Sequence, residues 1–117
     1  MDPREGGLLR WQWSLYPDGH RQRRNLLVHA ATNPVFLAGT CALIASPLAG
    51  VGWAVAGPVA MVAAMAAQGR GHKAETTAPA AFRGPGDLLA RFFVEQWVTF
   101  PRFVLSGGFA AAWRAAK

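Results

Sequence analysis

Charge is scarce in this sequence. Charged residues make up 15% of its 117 residues, against roughly 25% in ordinary soluble proteins. From Ala30 to Gly69, forty residues pass without one charged side chain. Cysteine is nearly absent: Cys41 stands alone, which excludes a disulfide within the chain and a thiolate metal cluster. It reads as a small buried hydrophobe. The first fifteen residues contain Asp2, Arg4, Glu5 and Arg10 and no apolar h-region, so no secretory signal peptide is expected. Internal repeats and low-complexity tails are also missing. The net charge of +6 would suit a nucleic-acid binder, but such proteins seldom carry a long uncharged insert between their basic clusters. No nucleic-acid partner is expected.

What is present is alanine, glycine and other apolar residues, 52% of the chain by the apolar types, a composition that suits close helix packing in lipid. Forty uncharged residues are too many for one membrane span of about 20. Two spans fit if the chain reverses at "SPLAG", 46–50, where Pro and Gly supply the turn. The arms then run over roughly 32–46 and 51–68, the second kinked at Gly57-Pro58. Neither arm shows a polar face for water. A soluble helical hairpin with a dry core is the competing architecture. Residues 1–19 form an amphipathic N-terminal segment containing "LLRWQWSLY", residues 20–75 the hairpin with its flanks, and residues 86–116 amphipathic helices. In the last of these, Arg91 and Glu95 lie opposite the apolar positions and Pro101 bends the helix. The expected fold is all-α, one small integral membrane domain of a helical hairpin with flanking interfacial helices.

A two-pass hairpin returns its ends to one side. "HRQRR" (20–24) and "RGHK" (70–73) therefore become neighbours, and their positive charge places both on the cytoplasmic face, in a bacterium at the inner membrane. All three histidines, His20, His29 and His72, lie in these flanks, with Glu75 three residues beyond His72. Imidazole and carboxylate are the donors of non-haem iron and zinc sites. Two histidines with a carboxylate, or three with one, could assemble here. His72 and Glu75 share a face on a helix, as do Asn25 and His29, so Asn25 is a candidate to orient His29. His20 falls opposite His29 on a continuous helix and joins the site only if the chain bends after "PDGH". Histidines at membrane flanks also serve as interfacial or helix-end residues, and that reading stays open at this point.

Two stretches carry a family resemblance. "LYPDGHRQRRNLLVHAATNP" and "QGRGHKAETTAPAAF" resemble, in order, the two histidine signatures of the family of the fungal 2-hydroxy fatty acid dioxygenase, a membrane enzyme of fatty acid α-oxidation with short bacterial relatives. "VEQWVTFPRFVLSGG" is similar to the tail of a bacterial branch, and the resemblance spans roughly residues 13–109. It implies an Fe(II)-dependent dioxygenase that shortens a 2-hydroxy fatty acid by one carbon with O₂. His20, His29 and His72 would be iron ligands, Glu75 a ligand or base, and Asn25 a supporting residue. Arg70 or Lys73 would meet the substrate carboxylate. The alternative is a non-enzymatic membrane scaffold or lipid-interacting protein whose histidines are structural.

Overall fold

The computed structural model describes Arg4 and residues 6–116. Met1 to Pro3, Glu5 and Lys117, which include part of the polar start, lie outside the described residues. Among those described there are helices and no strands, in agreement with the all-α expectation. The order is α1 (Gly7–Leu15), a 3₁₀ turn (Pro17–Gly19), α2 (Arg23–Ala49), α3 (Val51–His72), α4 (Pro85–Val94), a π-helical turn (Glu95–Thr99), α5 (Phe100–Leu105) and α6 (Gly108–Ala115).

The hairpin is α2 packed on α3, and its arms are longer than the sequence pattern implies. Its reversal is Gly50 alone and not the "SPLAG" stretch. Gly50 takes φ 125°, a left-handed backbone that favours glycine. Pro47 sits within the last turn of α2. A proline there withholds the N–H that would reach the Leu43 carbonyl, and the Ser46 hydroxyl donates to that carbonyl instead, at 2.7 Å. Halfway along, the backbones touch. A Cβ on Gly39 would lie 2.7 Å from the Gly57 carbonyl oxygen, and one on Gly57 would lie 2.5 Å from that of Gly39. Only glycines allow this approach.

The burial pattern is inverted relative to a water-soluble domain. Leu48 is 97% exposed, and Ile44, Val51, Val55, Val59 and Val62 are also exposed, whereas Gln68, Gln96, Asn25 and Asn33 are buried. Cys41, expected in the interior, is exposed on the outer surface of α2. The continuation from α4 into α5 repeats the inversion. Leu89, Phe93, Trp97 and Val98 face outward, while Arg91, Gln96 and Thr99 are buried. The polar side opposite the apolar positions does exist, but it faces the protein. α2 and α3 are each long and apolar enough to cross a membrane.

Polar groups inside the bundle satisfy one another. Gln68 and Gln96 exchange amide hydrogen bonds at 2.7 and 3.0 Å. Gln68 also donates to the Thr32 hydroxyl at 3.0 Å. The π turn has a local cause in Pro101 and a distant one in Asn33. The Phe100 N–H reaches back to the Glu95 carbonyl, and Pro101 offers no N–H to the Gln96 carbonyl. Asn33 fills that vacancy, donating from Nδ2 at 2.8 Å. A hydrophobic core of Tyr16, Leu26, Phe100 and Phe103, flanked by Trp13, Phe109 and Trp113, closes the open end of the hairpin.

Candidate metal centre

His29 and His72 lie 21 and 22 residues from Gly50 on opposite arms, so the hairpin brings them level. His20 arrives by a bend. The 3₁₀ turn over Pro17–Gly19 ends at His20 with φ −136° and ψ 59°, and α2 begins only at Arg23. The chain is not one helix from 20 to 29, which removes the opposition that a continuous helix would impose. Glu95 enters from the π turn. Donor atoms of His20, His29, His72 and Glu95 lie within 4.8 Å of one another. The three rings are nearly orthogonal, with centroids 4.6 to 4.9 Å apart and interplanar angles of 78° to 86°.

The hydrogen bonds around the rings determine which nitrogens face inward. His20 Nδ1 lies 2.7 Å from the Tyr16 carbonyl oxygen, and His29 Nδ1 lies 3.0 Å from that of Asn25. A carbonyl accepts, so both Nδ1 atoms carry the proton and a neutral ring then presents a bare Nε2. These two Nε2 atoms are 3.3 Å apart, and each also faces Glu95 Oε2, at 3.7 Å from His20 and 3.3 Å from His29. Three electron-rich atoms cannot hydrogen-bond one another without an added cation, a proton or a metal ion. His72 Nδ1 is buried with no hydrogen-bond partner, where buried polar atoms are ordinarily paired. A metal ion would satisfy all of these demands, and the donor set is suited to iron or zinc.

Electrostatics match this arrangement. Burial, together with the neighbouring His29, pushes His20 down to about 3, so its imidazole is neutral and ligand-ready at ordinary pH. For Glu95 burial acts upward, but the surrounding imidazoles of His29 and His20 and the Tyr16 hydroxyl hold it down to about 2. Tyr16 stacks on His20 at 3.9 Å between centroids and donates its hydroxyl to Glu95 Oε2 at 2.9 Å. Burial, then the Glu95 carboxylate, raises the Tyr16 phenol well above its ordinary value. Tyr16 thus supports two members of the cluster, as outer partners of metal ligands commonly do.

The remaining expected residues fall elsewhere. Glu75 is outside the four-residue cluster. Its carboxylate accepts from the backbone N–H groups of Arg21 at 2.9 Å and Gln22 at 3.0 Å, and from Asn25 Nδ2 at 2.9 Å. It caps the start of α2 from the far end of α3, satisfying donors a helix N-terminus leaves free. Asn25 supports His29 through its backbone carbonyl, while its side chain ties Gly19 to Glu75. Gly71 leaves room for it, since a Cβ there would sit 2.5 Å from Asn25 Oδ1. Lys73 lines a cavity of about 500 Å³ that ends on His72 and Glu95; Arg70 does not line it. The expectation missed Glu95 and Tyr16. Their signal was faint: Glu95 is the last carboxylate in the sequence and Tyr16 its only tyrosine.

The fold and site together define a class: an apolar helical hairpin whose open end gathers three histidines and a glutamate into a candidate metal centre. Searches of protein-family models, curated proteins and solved structures find no match for this chain.

Proposed function

We propose that this protein is an Fe(II)-dependent membrane dioxygenase acting on 2-hydroxy fatty acids or related lipids, with His20, His29, His72 and Glu95 holding the metal. The observation that carries the reading is the convergence of two bare Nε2 atoms, a carboxylate and a ring nitrogen of His72 within 4.8 Å of one another. Bound iron supplies redox access to O₂ and coordination positions for a 2-hydroxy carboxylate. The chain's own residues do the rest. The Tyr16 and Asn25 carbonyls fix the ring tautomers. Tyr16 holds a proton against Glu95 Oε2, leaving that carboxylate oriented. The apolar hairpin keeps the chain of a lipid substrate beside the site.

The site's depth supports a lipid substrate. At about 1.5 Å per residue, His29 and His72 lie roughly 30 Å from the hairpin tip, close to one hydrocarbon thickness. The centre then sits at headgroup level. The basic flanks at 20–24 and 70–73 support the reading that this end faces the cytoplasm, in a bacterium at the inner membrane. The test is anaerobic purification followed by metal analysis, then incubation of iron-loaded protein with a 2-hydroxy fatty acid. About one Fe(II) per chain and an acid one carbon shorter are expected. Protein that ignores Fe(II), Mn(II) and Zn(II) alike would favour a scaffold with structural histidines. Iron binding with no O₂ uptake at any chain length would remove the reaction and leave the site.

A further inference from the structure

Arg4, Arg23, Arg91 and Arg102 each lie over an indole ring, and they are of two kinds. Arg4 and Arg91 share Trp11 and are turned inward. Each pairs with Asp87, and Arg91 also donates to the Ala80 and Ala81 carbonyls at 2.9 and 3.0 Å. Arg102, 4.0 Å from the centre of the Trp13 ring, and Arg23, 4.8 Å from that of Trp113, are exposed. Neither pairs with a carboxylate among the described residues, because those carboxylates are already engaged. Asp18 holds Arg21, Asp87 holds Arg4, Glu75 caps α2 and Glu95 belongs to the cluster. Arg23 uses only its Nε, on the Trp113 carbonyl at 3.3 Å. Arg102 has no hydrogen-bond acceptor among the described residues. An indole under one face of a guanidinium fixes its plane and leaves open the N–H edge, the fork that takes a phosphate through two parallel bonds.

Both arginines lie at the open end of the hairpin. Arg23 begins α2, six residues before His29, and Phe103, next to Arg102, packs edge-on against Tyr16 with centroids 5.0 Å apart. Just beyond Arg102 the surface turns apolar. Leu105, three positions on and so on the same helix face, is 87% exposed, and Val104 is exposed as well. A cation beside an exposed leucine matches the boundary where headgroups meet acyl chains. We infer that Arg102 on Trp13 and Arg23 on Trp113 are two docking points for the phosphate groups of anionic bilayer phospholipids. The inference goes beyond the proposed function and uses neither its metal nor its reaction; it needs only that the hairpin lie in a bilayer. An acidic protein would meet the arginines but leave Leu105 in water. A zwitterionic lipid brings the same phosphate together with a cation that the arginines repel, so anionic headgroups are preferred.

The test uses the full-length protein in mild detergent, with phosphatidylglycerol and phosphatidylcholine as probes and native mass spectrometry to resolve bound lipids one at a time. Phosphatidylglycerol should show one tight binding step for each stacked arginine. Arg102→Gln and Arg23→Gln should each weaken one step about tenfold or more and leave phosphatidylcholine and the metal content unchanged. Arg102→Lys keeps the charge but loses the planar fork, and should fall between the parent and Arg102→Gln. Arg10→Gln, at an exposed arginine with no ring beneath it among the described residues, should leave both steps within about threefold of the parent. In case a substitution unsettles the fold, photoactivatable phosphatidylglycerol should crosslink the unaltered protein at Leu105 and beside Trp113. Phosphatidylglycerol bound no better than phosphatidylcholine, a loss of equal size at Arg10, or displacement by an equal concentration of inorganic phosphate would overturn the inference, whatever the protein does with iron.

Discussion

Two imidazole rings with Nδ1 protons outward and Nε2 lone pairs inward, those Nε2 atoms 3.3 Å apart and beside a carboxylate, make this cluster a site that asks for a cation. His72→Ala should therefore reduce bound metal to a small fraction of one per chain by elemental analysis. The two glutamates separate by the same assay. Glu95→Gln removes the charge in the cluster, and its affinity loss should exceed the roughly 10–100-fold of an outer-partner loss. Glu75→Gln loosens the cap on α2 and should fall within that 10–100-fold range, with about 1–3 kcal/mol of stability lost. Tyr16→Phe keeps the stack on His20 but drops the bond to Glu95, so metal affinity should fall about tenfold by chelator competition. Acid should act in one direction. His20 is depressed from 6.5 to about 3 in the fold, so the neutral ring is favoured and its contribution is present above about pH 6.5. It fades as pH falls toward 3, and Glu95, depressed from 4.5 to about 2, adds a loss of the same sign lower down. Metal-free protein should lose on the order of 2 kcal/mol between pH 7.5 and 5, read as a lower Tm.

Each element delivers its ligand by a particular backbone device. Gly50 sets the register that levels His29 with His72, and the Gly39–Gly57 contact holds the arms at one spacing. Gly57→Val should cost about 1–3 kcal/mol through overpacking. It should also lower metal occupancy, because separating the arms separates two histidines; thermal unfolding in mild detergent and metal content measure the two effects. The π turn is the second device. With Pro101 silent as a donor and Asn33 bonded to Gln96, the helix takes a wider turn at Glu95–Thr99. π turns recur at functional sites because they re-aim side chains, and here the turn begins at Glu95, the carboxylate of the cluster.

Among the described residues of the hairpin and of the continuation from α4 into α5, apolar side chains cover much of the outside while several amides are buried inside, the reverse of a protein solvated by water. A lipid surround would make this stable, since a buried amide pair such as Gln68–Gln96 finds its partner within the bundle. Cys41 is a built-in reporter. It is exposed on α2, and its nine residues from Gly50 correspond to about 14 Å of helix, which in a membrane-crossing hairpin would be near mid-bilayer. A membrane-impermeant maleimide should leave it unlabelled in intact vesicles and modify it after denaturation. Ready labelling in sealed vesicles would contradict a hairpin that crosses the membrane.

Helix content, the hairpin and the nearness of its histidine-bearing flanks were legible in the sequence, because a long uncharged run with a central Gly leaves few ways to bury backbone. Membership of the site was only partly legible. His29 and His72 follow from helix length and the position of Gly50. His20 needed the bend at Pro17–Gly19, and Glu95 needed a π turn whose cause, the bond from Asn33 to Gln96, joins residues 63 positions apart. Glu75 misled because spacing along one helix shows which side chains share a face and not what lies across from them. The backbone donors of Arg21 and Gln22 lie there, and they claim the carboxylate. Local pattern settled the elements, whereas the identity of the fourth donor depended on packing between distant segments, which periodicity along a chain does not encode.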